Sequence, residues 1–544
     1  MKIKLKACTQ NMLVLGAALG FLAAGSNAQP LVYTPQQQIL ADLGKEVFFD
    51  ESLSTPGNKQ GCVSCHAPER GWTFPDAAVN LGPVGNPGAL PHARGKIKPP
   101  TVAYASFVRH FQPCNIGNPG GGRWCSGLFW DGRAEGTEPF GTYPEGDRAV
   151  SESVSWEELQ LDGIYLAEYS DFLGPLTDQA LNPAQFGIEQ NAGEKKVCQQ
   201  VKTAKYKRLY RQAFGERINC EEEPEDNPAF RVAFKRIALS LSAYQGSPDV
   251  NAFSSLRDLA LYKELDCGGD AGFSEYASAQ DCLDLAEAKP DVTTWGQFPL
   301  AFVGLGLPDE QIRKINRGHD LFYGVATAAD DLNDGNPGPL RGNSSGPLGG
   351  GPASYDGVGT NAQCSECHSD NPGLDDGTEP RQGYADQAYH IIGIPFNRQI
   401  PNTLKGEVTG IFDHVSFRSD RPNDRLTVPG RFRTPTMREV GKGDNLHDAG
   451  FVKAFAHNGY FKSLEGIINF YGTRDLKPAC EDVVPEIIDA TEAEAMANVC
   501  WPEPEFPNPG TFAGVGILDL YPEEEAALAA YIRALTDTHI AEAP

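Results

Sequence analysis

Methionine is nearly missing from this 544-residue chain, occurring only as Met1, Met12, Met437 and Met496. Any role that demands a thioether at a fixed place therefore has very few candidates. Basic charge is short as well: 46 Lys and Arg face 72 Asp and Glu, a formal net charge of −26. That balance argues against nucleic acid and anionic membranes as partners, and it would steer basic partners towards the surface. Long apolar runs are scarce. The run from Met12 to Ala24 falls short of the ~20 residues that span a bilayer, and no later segment is apolar enough, so no membrane span is expected. Strand-like alternation is also thin, which leaves helices and loops to build the fold.

The short apolar run has a secretory context. Lys2, Lys4 and Lys6 precede it and Ser26-Asn27-Ala28 follow, the plan of a signal peptide over residues 1–28 with the mature chain starting near Gln29. Losing the three lysines takes the net charge from −26 to −29. The expected localisation is periplasmic or otherwise exported, including cell-surface association.

Two pentapeptides stand out: Cys62-Val63-Ser64-Cys65-His66 and Cys364-Ser365-Glu366-Cys367-His368. Cys-x-x-Cys-His is the attachment pattern of c-type haem: two thioethers to one porphyrin, and a histidine delivered to its iron. Zinc would need four ligands per site, and neither motif has a second Cys pair or His pair nearby. Two covalently bound haems c are therefore expected, on Cys62, Cys65 and His66 and on Cys364, Cys367 and His368. Of 13 Cys, one leaves with the signal and four hold haem. The remaining eight suit an oxidising compartment. Their simplest pairing joins neighbours, Cys114–Cys125, Cys198–Cys220, Cys267–Cys282 and Cys480–Cys500, although sequence alone leaves the connectivity open.

Each haem motif opens a region, giving an expected order of signal 1–28, first haem domain 29–305 and second haem domain 306–544. Helical periodicity is clear at Phe230, Ala233, Phe234, Ile237, Ala238 and Leu241, and again at Leu528, Tyr531, Ile532 and Leu535 after Pro522. Gly117 to Gly122, Cys267 to Thr294, Asp334 to Gly359 and Pro478 to Gly510 read as inserted surface loops. The expected fold class is mainly α: two tandem c-type cytochrome haem domains with long inserted loops and few short strands.

Segments around both haems resemble the bacterial di-haem cytochrome c peroxidase family, which includes MauG. They are Leu43-Gly44-Lys45-Glu46-Val47-Phe48-Phe49-Asp50, Gly71-Trp72-Thr73, Pro100-Thr101, Phe129-Trp130-Asp131-Gly132-Arg133, Gly430-Arg431-Phe432-Arg433-Thr434-Pro435 and His457-Asn458-Gly459. The resemblance implies that the N-terminal haem reacts with peroxide and the C-terminal haem relays electrons. It implies distal roles for Gln179 and, ten residues later, Glu189 as general base. Gln185 competes if the alignment is anchored on Asn182-Pro183. Trp130 matches the tryptophan between the haems, and Arg133 and Arg433 are candidate partners for haem propionates. His92 is near the place of the distal His with which conventional members close the first haem, but its spacing to Pro100-Thr101 is two residues short.

Conventional members ligate the second iron with a Met fourteen residues after the His of the His-x-Gly segment. Counting from His457 reaches Tyr471, the MauG-type choice, and neither Met437 nor Met496 is in register. A phenolate is a hard donor that favours oxidised iron. The family's interdomain calcium uses an Asn just before Pro-Thr, where this chain has Lys98, which puts that calcium in doubt. The expected function is an exported enzyme of the MauG type that uses hydrogen peroxide to form a high-valent di-haem state and oxidises a Trp or Tyr side chain of a partner protein. The alternatives are a conventional peroxidase fed by a small cytochrome or cupredoxin, and a non-catalytic di-haem electron carrier.

Overall fold

The computed structural model describes residues 32–57, 59–113, 124–136, 154–225, 227–258, 307–323, 362, 364–368, 383–412, 429–444, 450–507, 515–518 and 520–544. The signal segment, the expected boundary at 305, Cys114, the Cys267–Cys282 pair and three of the four proposed loops lie outside these residues.

Eight helices carry the argument: α1 Pro35–Phe48, α2 Pro175–Ala180, α3 Glu194–Thr203, α4 Lys207–Phe214, α5 Ala229–Gln245, α6 Asp309–Tyr323, α7 Leu464–Thr473 and α8 Pro522–Ala534. The strands are two-residue pairs, β1 Gln112–Pro113 with β2 Trp124–Cys125 and β3 Tyr389–His390 with β4 Phe432–Arg433, both antiparallel. A mainly helical chain with few short strands is what the periodicity predicts.

Helix α1 starts because Thr34 and Gln37 cap each other reciprocally and Pro35 fits the first turn. Its buried face, Leu40, Leu43, Gly44, Val47 and Phe48, recurs at helical spacing and crosses α5. A Cβ on Gly44 would stand 1.8 Å from the Ser240 carbonyl oxygen, so only glycine allows this approach. The second half repeats the device. Helix α6 crosses α8, and a Cβ on Gly318 would meet the Ala527 carbonyl at 2.0 Å. Each helix pair anchors its own apolar core, one around Phe48, Phe234 and Tyr244, the other around Phe322, Leu528 and Tyr531.

Two of the expected disulfides are present, Cys198–Cys220 and Cys480–Cys500. Each closes a loop of about twenty residues, stabilising on the order of 3 kcal/mol through the unfolded chain. The segment Pro478 to Gly510 differs from a plain surface loop. It contains the short helices Cys480–Val483 and Glu492–Ala497, and Cys480, Ala490, Cys500 and Trp501 are buried against Phe461 and Phe470. The disulfide and one tryptophan supply a core that its polar composition hides.

The halves are locked by buried polar contacts. Arg438 donates two bonds to Asp258, at 2.8 and 2.9 Å, and the Tyr104 hydroxyl donates to Asp537 at 2.5 Å. Beyond α8 the chain returns to the first half, where Ala541 joins that half's core. Among the described residues, no helix is long and apolar enough to cross a membrane.

Candidate functional site: two paired haem cavities

Both Cys-x-x-Cys-His motifs sit on short 3-10 turns, Cys62–Ser64 and Cys364–Glu366. The turn brings the two Cys to one side and passes the His onward. His66 Nδ1 lies 3.2 Å from the Trp72 carbonyl oxygen, and His368 Nδ1 lies 3.0 Å from that of Tyr384. To donate to a carbonyl, Nδ1 must carry the proton, which leaves the Nε2 lone pair for a metal. Trp72 and Tyr384 share the left-handed conformation, with φ of 60° and 57°. Thr101 and Thr436 both brace the turn by donating from Oγ1, to the Gly71 and Gly383 carbonyls. The local architecture is thus built twice. Burial pushes His66 down to about 4 and also lowers His368, so both imidazoles are held neutral, the form that ligates iron.

Each motif opens on a cavity. The first, about 310 Å³, is lined by Cys62, Cys65 and His66 together with Gln179, Glu189, Arg133 and Lys98. The second, about 220 Å³, is lined by Cys364, Cys367 and His368 together with Tyr471, Arg433 and Met437. None of the four motif cysteines is in a disulfide, which leaves both pairs available to a porphyrin. Among the described residues, the one cluster of three metal-type donors is Cys367, Asp386 and His390, and neither motif finds a four-ligand set. An apolar cavity with two thiols and one oriented imidazole on its wall fits haem in both places.

Trp130 and Phe432 belong to the walls of both cavities. The Trp130 Nε1–H donates to the Lys98 carbonyl at 2.8 Å, which fixes the indole plane. Phe432 stacks on His457 with ring centroids 3.5 Å apart, and the Trp130 ring meets His457 edge-on at 6.3 Å. Gly132 lets Trp130's turn close: with φ 82°, a Cβ there would stand 2.0 Å from the Tyr389 hydroxyl.

In the first cavity's wall, α2 presents Gln179, and Glu189 follows after the short helix Asn182–Gln185, within electrostatic reach of Cys62 and Cys65. The Glu189 Oε2 atom is buried without a hydrogen-bond partner. Burial raises the pKa of this carboxyl, and the Arg133 guanidinium pulls it partly back. Arg133 itself pairs with Asp131 at 2.7 Å and lies 3.8 Å over the Phe129 ring. Asp178 stands next to Gln179 yet faces away from the cavity. It accepts the Gly136 and Val154 N–H groups, and burial pushes it up to about 7. Gln185 is exposed, donates to the Leu181 carbonyl of its own turn, and does not line the cavity. His92 is exposed on a left-handed turn, also outside the cavity wall.

In the second cavity α7 presents Tyr471, whose phenol is pushed up by burial and by the neighbouring Cys367 and Cys364. Met437 lines this cavity two residues after Pro435, as Val102 lines the first two residues after Pro100. Met496 is 42% exposed on the surface. Sequence reading passed over three contributors: Phe432 as a shared wall, His457 as its stacking partner, and the buried His390–Asp386 pair at 2.7 Å. Phe432 and His457 lie in family-like segments, whereas Asp386 and His390 lie outside them, and in neither pair does the local pattern announce the contact.

Calcium does not fit. At the position of the family's Asn ligand, Lys98 offers a cation, and Lys453 nearby is a second buried ammonium donating to the Glu439 and Lys442 carbonyls at 2.7 and 3.0 Å. A divalent ion needs oxygen lone pairs there, not two ammonium groups.

Residues 38–259 match the family model described as di-haem cytochrome c peroxidase, the family the sequence resembles. The matched span holds the first Cys-x-x-Cys-His, Trp130, Gln179 and Glu189. Among solved structures, the chain is similar to the di-haem peroxidase BthA from Burkholderia thailandensis E264, with TM-score 0.54 and 20% identity over 95% of this chain and 90% of that one. A variant of BthA with one tyrosine exchanged for methionine gives TM-score 0.54 and 19% identity over 93% and 88%. These likenesses show the fold. No curated protein matches the chain in sequence.

Proposed function

We propose that this chain is a member of the di-haem cytochrome c peroxidase family, a peroxidase-type oxidoreductase acting on peroxide, and that it is an exported enzyme of the MauG type. Cys62 and Cys65, and Cys364 and Cys367, would hold two haems c through thioethers, with His66 and His368 as the imidazoles offered to the irons. When bound, the haem pair would supply the redox chemistry by which two oxidising equivalents of hydrogen peroxide reach a Trp or Tyr side chain of a partner protein.

The chain's residues handle the proton and the path. Glu189 Oε2 takes the proton from the near peroxide oxygen and returns it to the leaving oxygen, which departs as water. A desolvated carboxylate suits that task, because among the described residues no hydrogen bond occupies Oε2 and burial raises its basicity. Gln179 orients the bound peroxide through its amide. Trp130 carries charge between the irons as part of the wall that the two cavities share.

The observation that carries the MauG-type reading is Tyr471 in the second cavity, where conventional members place Met. A hard phenolate offered to an iron there would make it a poor store of reducing electrons and a good one of oxidising equivalents. The net charge of −26 favours docking of a basic cytochrome, which keeps the conventional peroxidase as the second reading. The test mixes the all-ferric holoprotein, and separately the half-reduced one, with peroxide and a reduced small cytochrome. The MauG-type reading expects peroxide to be consumed without prior reduction and the cytochrome to be oxidised slowly. Rapid cytochrome oxidation that appears only after half-reduction would make the protein a conventional peroxidase.

A further inference from the structure

Lys98 touches the first haem site and both parts of its link to the second. It lines the first cavity. Its backbone N–H donates to the His457 carbonyl at 2.9 Å, and its own carbonyl accepts the Trp130 indole N–H at 2.8 Å. Its ammonium is poorly satisfied. The one hydrogen bond it makes runs to the Pro99 carbonyl at 3.5 Å, the outer limit of such a bond. Among the described residues no carboxylate stands within ion-pair distance of it.

Burial pushes the ammonium down to about 8. The charge is felt at His66, the proximal imidazole, and at Lys453. Lys453 in turn already fills its own ring of carbonyls. A cation taken out of water without a counter-charge is costly, and an anion entering the cavity beside it would offset that cost. The group that would enter this cavity brings two carboxylates of its own.

We propose that Lys98 is the built-in cation of the first haem site: its ammonium pairs with a propionate of that haem, stands in place of a calcium ion, and raises the haem's reduction potential. The inference rests on the reading of the first cavity as a haem site. The physical basis is Coulombic. A fixed positive charge beside the haem favours the form that carries one more electron, and in a dry cavity it is weakly screened. Lys98 acts through the haem, so it is a positioning and tuning residue.

The test uses the purified di-haem holoprotein. Metal analysis should find no stoichiometric calcium, and a calcium chelator should leave both haem spectra and both midpoint potentials unchanged. In a spectroelectrochemical titration, Lys98→Met and Lys98→Gln should each lower the first haem's potential while the second stays put, and Lys98→Arg should restore it. Calcium at one per chain would overturn the proposal, as would a wild-type first-haem potential in Lys98→Gln. Should Lys98→Met not fold, Lys98→Gln and the metal analysis still decide. These readouts need no peroxide, so the proposal and the MauG-type function can fail separately.

Discussion

At Glu189 the account is most exposed to a single substitution. Glu189→Gln keeps the shape and removes the base, so the bimolecular reaction with peroxide, followed by stopped-flow absorption, should slow by about 10²–10⁴-fold. An unchanged rate would remove Glu189 from the reaction. The pH dependence has a definite sign: burial raises this carboxyl's pKa, the base works deprotonated, and the rate should fall as pH drops through that raised value. Tyr471 makes the second residue-scale prediction. Tyr471→Met should raise the second haem's midpoint potential and give the near-infrared band of a Met-ligated ferric haem; an unaltered potential and spectrum would show that Tyr471 only packs. Which side chains line the two cavities was largely legible in advance. Cys62–His66 and Cys364–His368 declare themselves because five adjacent residues carry the whole pattern. Trp130 and Tyr471 needed the family resemblance as well. Phe432 and His457 were hidden, because their stacking joins loops whose proximity no local spacing encodes.

The helices were the most readable elements. Ala233, Phe234, Ile237 and Ala238 on α5, and Leu528, Tyr531 and Ile532 on α8, are all buried as their periodicity predicts. What periodicity does not reveal is how closely the helices cross. Gly44 and Gly318 each let one helix approach a facing carbonyl to a distance that leaves no room for a methyl group. Gly44→Ala should therefore destabilise the first half by about 1–3 kcal/mol or more, read as a lower thermal midpoint, and Gly318→Ala should do the same in the second. The second Cys-x-x-Cys-His haem should keep its spectrum in Gly44→Ala while the first loosens; equal damage at both would mean the helix pairs are not independent anchors. Pro478 to Gly510 escaped the sequence reading for the opposite reason. Its helices are short and its composition polar, and the ties that organise it are the Cys480–Cys500 bridge, buried Ala490 and Trp501, and the Lys462 N–H donating to Glu492.

For the molecule as a whole, the two cavities matter because they are held at a fixed separation with Trp130 and Phe432 between them. The Arg438–Asp258 pair, both members buried, is the main polar lock across the halves. Removing one partner leaves a buried charge uncompensated, so Asp258→Asn should cost about 3–5 kcal/mol and weaken electronic communication between the haems before either haem is lost. Burial opposes the Asp258 charge, but Arg438 holds its pKa below the usual aspartate range. Its contribution is therefore present from neutral pH down and is lost only as pH falls through that depressed value. The central claim is that both haems share oxidising equivalents without prior reduction. The most direct measurement mixes the all-ferric holoprotein with one equivalent of hydrogen peroxide and follows both ferric EPR signals by rapid freeze-quench. The account predicts that both signals disappear together and stay low for far longer than mixing takes; loss of one signal alone, or no reaction until the second haem is reduced, would contradict it.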